Sequence, residues 1–134
     1  MGNPTMNRVL LADQHHELSE GVHGLLRTIF EAVFAVSDKS SLLEGAARIQ
    51  PDLVVVNLSL AGGNVFGFIK TLKQRAPYAK VLLLTVHDEP TVVTAALAAG
   101  ADGVVLTRAI ATDLLDAVDA LLANKNYTSS AFSH

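Results

Sequence analysis

A run of four apolar residues, Leu53 to Val56, ends abruptly at the polar side chain of Asn57. The run is short and rich in β-branched residues, which is typical of a strand that is buried on both faces. A turn-rich segment, residues 61–64, follows it. In open α/β sheets, ligands bind in the crevice outside the carboxyl ends of the strands. The sequence therefore predicts that Asn57 lies at the functional edge of a sheet.

Four further apolar runs alternate with segments of helical periodicity along the chain. The predicted strands are residues 8–12, 32–36, 53–57, 80–85 and 103–106. Between them, apolar residues recur three or four positions apart, which indicates helices. Short connections of this kind favour parallel strands and right-handed crossovers. We therefore predict an α/β fold: a flavodoxin-like, doubly wound five-stranded parallel sheet in the order 2-1-3-4-5, with helices on both faces.

The composition excludes several other classes of protein. The 134 residues fit one domain, and the absence of cysteine excludes disulfides and thiolate metal sites. No apolar run approaches the roughly 18 residues that span a bilayer, and the N-terminus lacks the pattern of a secretory signal. The net charge is −3, without a clustered basic face for nucleic acid. We therefore expect a cytoplasmic protein with no membrane partner.

Motifs of common nucleotide-binding and hydrolytic sites are absent. The sequence contains no G-x-G-x-x-G, G-x-x-x-x-G-K-[ST], G-x-S-x-G or H-E-x-x-H. A metal cluster of Asp13, His15, His16, His87 and Asp88 is an alternative, although loop histidines are usually only solvated. We therefore predict that the chain is not an enzyme.

Three local sequences match one protein family: Leu58 to Leu60, Leu84 to Asp88, and Ala99 to Leu106. Together with the alternation and the turn at Asp13, they make the chain similar to the response-regulator receiver domains of bacterial two-component signalling. The subgroup that it most resembles precedes a helix-turn-helix DNA-binding domain. This resemblance implies signal transduction and phosphorelay-type regulation of transcription.

The resemblance also implies roles for the residues at the rim of the sheet. In receivers, two adjacent acids after strand one bind Mg²⁺, and an aspartate that ends strand three accepts a phosphoryl group. A Ser or Thr after strand four and a Lys after strand five bind the phosphoryl oxygens, and an aromatic residue of strand five rotates inward on activation. The positions that match these roles hold, in the same order, Asp13 and Gln14, Asn57, Thr85, Thr107 and Val104.

These departures have a common physical consequence. A neutral amide is not a competent phosphoacceptor, because the transfer needs an ionisable oxygen nucleophile. The resemblance would place Asp13, Asn57 and the Ser59 carbonyl around Mg²⁺, but two of the three usual anionic ligands are missing. Mg²⁺ should therefore bind weakly at most, and we expect no other cofactor. Because the phosphoacceptor acid and the lysine are both missing, no buried charge is left without a partner. We therefore infer that the charges of the pocket were lost together.

Each of these residues also has a purely structural interpretation. Asp13 is equally well explained as a helix N-cap or a solvated loop acid, and Thr85 as a cap that bonds nearby backbone. Val104 fits ordinary core packing. Taken alone, Asn57 could be a single Asp-to-Asn substitution in an otherwise normal receiver domain. The departures at Gln14, Thr107 and Val104 argue against that interpretation. The bolder alternative for Arg108 is that it replaces the missing lysine.

Three functions remain open on this sequence. The first is a receiver-like domain, residues 7–123, that acts without phosphorylation through a protein partner or a homodimer. Residues 124–134 would then be a linker or disordered tail, and DNA would be bound only through a possible C-terminal output domain absent from this chain. The second is a small-ligand-binding or enzymatic domain on the same fold. The third is a purely structural dimerisation module.

Overall fold

The computed structural model describes residues 8–129, apart from the side chains of residues 16–19. The strands are β1 (Arg8–Ala12), β2 (Ala32–Val36), β3 (Leu53–Asn57), β4 (Lys80–Thr85), β5 (Gly103–Leu106) and β6 (Tyr127–Thr128). The helices are α1 (His16–Leu26), α2 (Lys39–Ile49), α3 (Val65–Arg75), α4 (Pro90–Ala99) and α5 (Ile110–Leu122). Two short 3-10 turns, Leu58–Ala61 and Thr107–Ala109, follow β3 and β5.

All six strands form one parallel sheet in the order β2-β1-β3-β4-β5-β6. The predicted order of the first five strands is confirmed, and β6 adds a further strand outside β5. The helices that connect the strands are 10 to 13 residues long. Within residues 8–129, none of them is both long enough and apolar enough to cross a membrane.

The apolar strands are explained by packing on both faces of the sheet. Alternate residues of β3 belong to two different buried clusters: Val54 and Val56 pack on the side of α2, α3 and α4. Leu53 and Val55 pack on the opposite side, against α1 and α5. A strand covered on both faces needs apolar side chains at every position, so it shows a continuous run instead of alternation. The apolar run that begins at Leu53 ends at Asn57, a buried polar residue at the carboxyl end of the strand.

The segment after α5 differs from the prediction of a linker or disordered tail. Its backbone pairs with β5, with Gly103 opposite Tyr127 and Val104 opposite Thr128. Ser129 is buried, and its hydroxyl accepts a hydrogen bond of 3.1 Å from the backbone N–H of Leu106. This strand has only two residues and is held by backbone hydrogen bonds, so the sequence contains no apolar run that would predict it. Residues 130–134 and residue 7 of the predicted segments lie outside the described residues.

Asp38 begins α2 as its N-cap residue. Its carboxylate accepts hydrogen bonds from the backbone N–H of Ser41, at 2.7 Å, and from the Ser41 hydroxyl, at 3.1 Å. These bonds, the backbone one above all, hold the pKa of Asp38 below its ordinary value of 3.8. Because the pKa is depressed in the folded state, the cap stabilises the fold above that value, and this contribution is lost as the pH falls through the folded-state pKa.

The variant Asp38→Asn should match the wild type in its urea midpoint at neutral pH, since asparagine is an equally good N-cap. On acidification below about pH 4, the variant should lose less stability than the wild type, because its amide cannot be protonated in that range. Urea titrations of both proteins across the acid range provide the comparison. An equal decline of the two midpoints would show that the cap does not titrate.

Candidate functional site

Three buried polar side chains lie at the carboxyl edge of β1, β3 and β4. Asp13 follows β1, Asn57 ends β3 and Thr85 ends β4, and they are 3%, 5% and 1% exposed. The parallel register brings these strand ends level with one another, because Ala12 lies opposite Val56 and Asn57 lies opposite Leu84. The edge of the sheet where a crevice was predicted therefore carries these three side chains.

The amide of Asn57 bridges the buried carboxylate and the backbone. Its Nδ2 donates a hydrogen bond to Asp13 Oδ1 at 3.3 Å, and its Oδ1 accepts one from the backbone N–H of Ser59 at 3.0 Å. An ionised aspartate at this position is able to accept from the backbone but has no proton to donate to Asp13. The asparagine therefore supplies the buried carboxylate with a neutral hydrogen-bond donor.

Asp13 is neither a helix cap nor a solvated acid, so both structural interpretations of it are wrong. The N-cap residue of α1 is His15, and Asp13 is buried. Asp13 Oδ1 also accepts a hydrogen bond of 2.8 Å from the backbone N–H of His15. Within the described residues, the other carboxylate oxygen, Oδ2, has no hydrogen-bond partner. The site thus contains one buried carboxylate with one free acceptor oxygen.

Gln14 and Ser59 lie at the exposed rim of the site. Gln14 Nε2 donates to Ser59 Oγ at 3.3 Å, and both residues are exposed. This bond joins the loop after β1 to the 3-10 turn after β3. Gln14, at the position where receivers carry a second acid, therefore adds an uncharged link between two loops.

Threonines end β4 and follow β5. Thr85 Oγ1 accepts a hydrogen bond of 3.0 Å from the backbone N–H of His87, which agrees with the prediction of a local backbone cap. Thr107 Oγ1 is buried and has no hydrogen-bond partner among the described residues. Val104 is fully buried in the cluster on the α4 side of the sheet, as the core interpretation predicts.

Arg108 does not replace the missing lysine. Its Nη1 lies 3.5 Å from Asp88 Oδ2, and the two side chains are 61% and 56% exposed. The guanidinium therefore pairs at the surface with the loop before α4. A largely exposed partner allows the long side chain to stay hydrated, whereas entry into the pocket would desolvate its charge.

The described side chains offer few oxygen ligands to a hard divalent cation. Mg²⁺ prefers near-octahedral oxygen ligands and usually one or two carboxylates. Asp13 offers one free carboxylate oxygen, while Asn57 Oδ1 is already bonded to the backbone. Among the described residues, no group of three or more His, Cys, Asp or Glu side chains could hold a metal ion. The alternative cluster with His15, His87 and Asp88 therefore does not form there, and the side chain of His16 lies outside the described residues.

A groove of about 400 Å³ opens beside Asn57, between the turn after β3 and the start of α4. Polar side chains of Asn57, Ser59 and Thr85 line it together with apolar side chains such as Val65 and Val92. No sequence motif marks this groove, because its walls come from separate elements of the chain. The available signal was α4, residues 90–99, which contains no charged residue.

Two transcription regulators are among the relatives of this chain. It is 28% identical to the transcriptional regulatory protein DegU of Brevibacillus brevis over 134 residues, covering 98% of this chain and 57% of DegU. It is 27% identical to the transcriptional regulatory protein RcsB of Escherichia coli K12 over 130 residues, covering 93% of this chain and 60% of RcsB. The chain thus spans less than two-thirds of the length of these relatives.

Solved structures of similar proteins share the fold. A two-component response regulator of the LuxR family from Aurantimonas sp. SI85-9A1 superposes with a TM-score of 0.86 at 26% identity, covering 96% of this chain and 94% of that one. The isolated REC domain of RcsB from Salmonella enterica serovar Typhimurium, in the apo form, gives 0.80 at 28% identity, covering 95% and 96%.

The family itself follows from a match that spans most of the chain. Residues 9–119 match the family described as response regulator receiver domain. The matched residues include the carboxyl edge of the sheet with Asp13, Asn57 and Thr85. This chain therefore belongs to the response regulator receiver domain family.

Proposed function

We propose that this receiver domain regulates transcription without being phosphorylated on an aspartate, through contact with a protein partner or through homodimerisation. The observation that carries the proposal is the hydrogen bond from Asn57 Nδ2 to Asp13 Oδ1. In the receivers that this chain resembles, the phosphoacceptor aspartate ends strand three, the position that Asn57 holds here. The residue found there is an amide that serves as a neutral donor to the neighbouring acid.

The charges around Asn57 support the same proposal. Phosphoryl transfer needs cations that compensate the charge on the phosphoryl oxygens. The lysine position holds Thr107, and Arg108 pairs with Asp88 at the surface. Asp13 supplies one free carboxylate oxygen for a metal, so we propose that Mg²⁺ binds weakly at most. A pocket with neither acceptor nor counter-charge favours one stable, unphosphorylated state.

We propose a regulatory rather than an enzymatic role for the same edge of the sheet. Thr85 Oγ1 is bonded to the backbone N–H of His87 instead of to a side-chain base that would activate it. Asn57 has both ends of its amide engaged. The buried polar groups thus serve to hold loops in place.

The relatives indicate what the partners would be. One solved structure contains two RcsB dimers bound to two parallel DNAs, and this chain covers 66% of that protein. By analogy, we propose that this domain forms a homodimer in the cytoplasm and that DNA is contacted by a separate output domain. The net charge of −3 is consistent with a domain that does not itself bind DNA.

Incubation with acetyl phosphate and Mg²⁺, followed by intact-mass measurement, tests the proposal. We expect no phosphoryl adduct on the wild-type domain, and none on Asn57→Asp, since the second acid and the lysine are still missing. The triple variant Gln14→Asp, Asn57→Asp, Thr107→Lys is the positive control and should gain one phosphoryl group. A Mg²⁺-dependent adduct on the wild type would refute phosphorylation-independent action. A stable adduct on the single variant Asn57→Asp would refute the inference that the charges of the pocket were lost together.

A further inference from the structure

We propose that the groove beside Asn57 binds an uncharged small organic molecule that presents a carbonyl oxygen to the polar side chains of the groove. This inference rests on the proposed function, in which no phosphoryl group uses the site. It assigns the regulation of the domain to a ligand in place of a covalent modification.

The size and walls of the groove suit a small molecule. Its volume of about 400 Å³ lies in the range of small-ligand pockets, roughly 300–1,000 Å³. Val65 from the first turn of α3, together with Val92 and Ala95 from α4, supplies apolar walls. Such walls bind the apolar body of a ligand by removing it from water. The bound molecule would therefore lie between the starts of two helices.

The polar side chains of the groove have hydrogen-bond donors to spare. Asn57 Nδ2 carries two hydrogens and donates one to Asp13. Thr85 Oγ1 and Ser59 Oγ act as acceptors, from the His87 backbone and from Gln14, so each hydroxyl proton is available to donate. All three side chains line the groove. A carbonyl oxygen, with two lone pairs, is the acceptor that this set of neutral donors fits.

The charges near the groove disfavour an ionised ligand. The carboxylate of Asp13 lies directly behind the Asn57 amide and repels an anion. Arg108 is engaged with Asp88 at the surface. His87 lines the groove, but its Nδ1 lies 3.9 Å from the carboxylate oxygen Glu89 Oε2, so neither side chain offsets that repulsion. Asp13 does not line the groove and cannot pair directly with a cation bound there. Burying an unpaired charge is costly, which leaves an uncharged molecule as the preferred ligand.

Binding would act on the position of α4. The groove is bounded on one side by the segment from Thr85 to His87, which leads into α4, and on the other by the turn after β3. A ligand that contacts both sides favours the arrangement in which they lie at this distance. The exposed face of α4, which includes Thr94 and Ala98, carries no charge. A shift of this helix would thus change a surface that a partner can contact.

Amide chemical shifts of the ¹⁵N-labelled 134-residue chain provide the test, with three probes of similar size. N-phenylacetamide is uncharged and carries a carbonyl, whereas phenylacetate is an anion and 2-phenylethylammonium a cation, each with one phenyl ring and a similar number of heavy atoms. We expect saturable shifts for N-phenylacetamide at Ser59, Thr85 and Val92. Each charged probe should bind at least roughly tenfold more weakly, a difference of about 1.4 kcal/mol.

Two exposed alanines of α4 provide matched variants. Ala95→Phe places a ring in the groove, and Ala98→Phe adds the same ring on the same helix at a residue that does not line it. We expect Ala95→Phe to abolish the shifts caused by N-phenylacetamide and Ala98→Phe to retain them. The ligand proposal is overturned if these shifts do not saturate up to the solubility limit, persist in Ala95→Phe, or are equalled by either charged probe. The phosphodonor experiment is independent of this one. A Mg²⁺-dependent phosphoryl adduct on the wild type would refute phosphorylation-independent action and would leave the measurement of ligand binding unaffected.

Discussion

The variant Asn57→Asp should be less stable than the wild type by about 3 kcal/mol at neutral pH, because it places two carboxylates together in a buried site. Asn57 is 5% exposed and Asp13 is 3% exposed, with Nδ2 and Oδ1 3.3 Å apart. The substitution removes the donor to Asp13 and adds a like charge at the same distance. Urea-induced unfolding monitored by circular dichroism measures the loss.

The pH and metal dependence of this loss identify its cause. Repulsion raises the pKa of the introduced carboxyl group in the folded state above its value in the unfolded chain. A raised pKa means that the deficit is largest at pH values above the folded-state pKa and shrinks as the pH falls toward about 4. Mg²⁺ should also recover part of the stability, because it binds between two carboxylates.

Asn64→Asp is the matched control for this substitution. Asn64 is an exposed N-cap residue of α3, and its Oδ1 accepts a hydrogen bond of 2.9 Å from the backbone N–H of Gly67. Aspartate performs that role equally well, so the control should unfold within about 0.5 kcal/mol of the wild type. Equal stability of Asn57→Asp and Asn64→Asp would contradict the neutral-donor role of Asn57.

The variant Leu83→Ala should cost about 2–5 kcal/mol of folding free energy, the range measured for leucine truncation in a core. Leu83 is fully buried in β4, with Val56 and Val104 directly opposite it in the neighbouring strands. The cavity would therefore open in the centre of the sheet, on the face covered by α3 and α4. Thermal and urea unfolding both report this loss.

Leu115→Ala removes the same atoms from a different environment. Leu115 lies on α5 and is 38% exposed, so its truncation leaves no closed cavity. We expect a loss below about 1 kcal/mol, since surface substitutions generally change stability little. Equal losses of stability in the two leucine variants would contradict the difference in burial between Leu83 and Leu115.

Most of the fold could be predicted because each of the five main strands is a continuous apolar run. Burial on both faces produces such runs in β1, β3, β4 and β5, whereas the edge strand β2 has no buried residue. Alternation with helices then leaves few topologies. The order of the first five strands was predicted as the usual arrangement of a five-stranded flavodoxin-like sheet, and the structure has that order. β6 could not be predicted, since two residues paired through backbone atoms carry no periodicity.

The candidate site was predictable in its location and only partly in its contacts. Parallel strands end at one edge of a sheet, which brings Asp13 and Asn57 together from distant parts of the sequence. The burial of Asp13 and the surface pairing of Arg108 depend on side-chain directions, which spacing along the chain does not determine. The groove beside Asn57 depends on how closely α3 and α4 approach, and that distance is set by packing.

The hydrogen bond between the backbone N–H of Leu106 and the Ser129 hydroxyl connects the end of β5 to the residue that follows β6. β6 runs parallel to β5, so the chain reaches Ser129 at the carboxyl edge, the edge that also carries Asn57. Leu106 is fully buried and immediately precedes Thr107. If the turn that begins at Thr107 moved without Ser129, the backbone N–H of Leu106 would lose its acceptor, at a cost of about 1–3 kcal/mol. Ser129 is therefore linked to this edge of the sheet twice, by its hydroxyl, which accepts from Leu106, and by its backbone N–H, which donates to the carbonyl of Val104 at 3.1 Å.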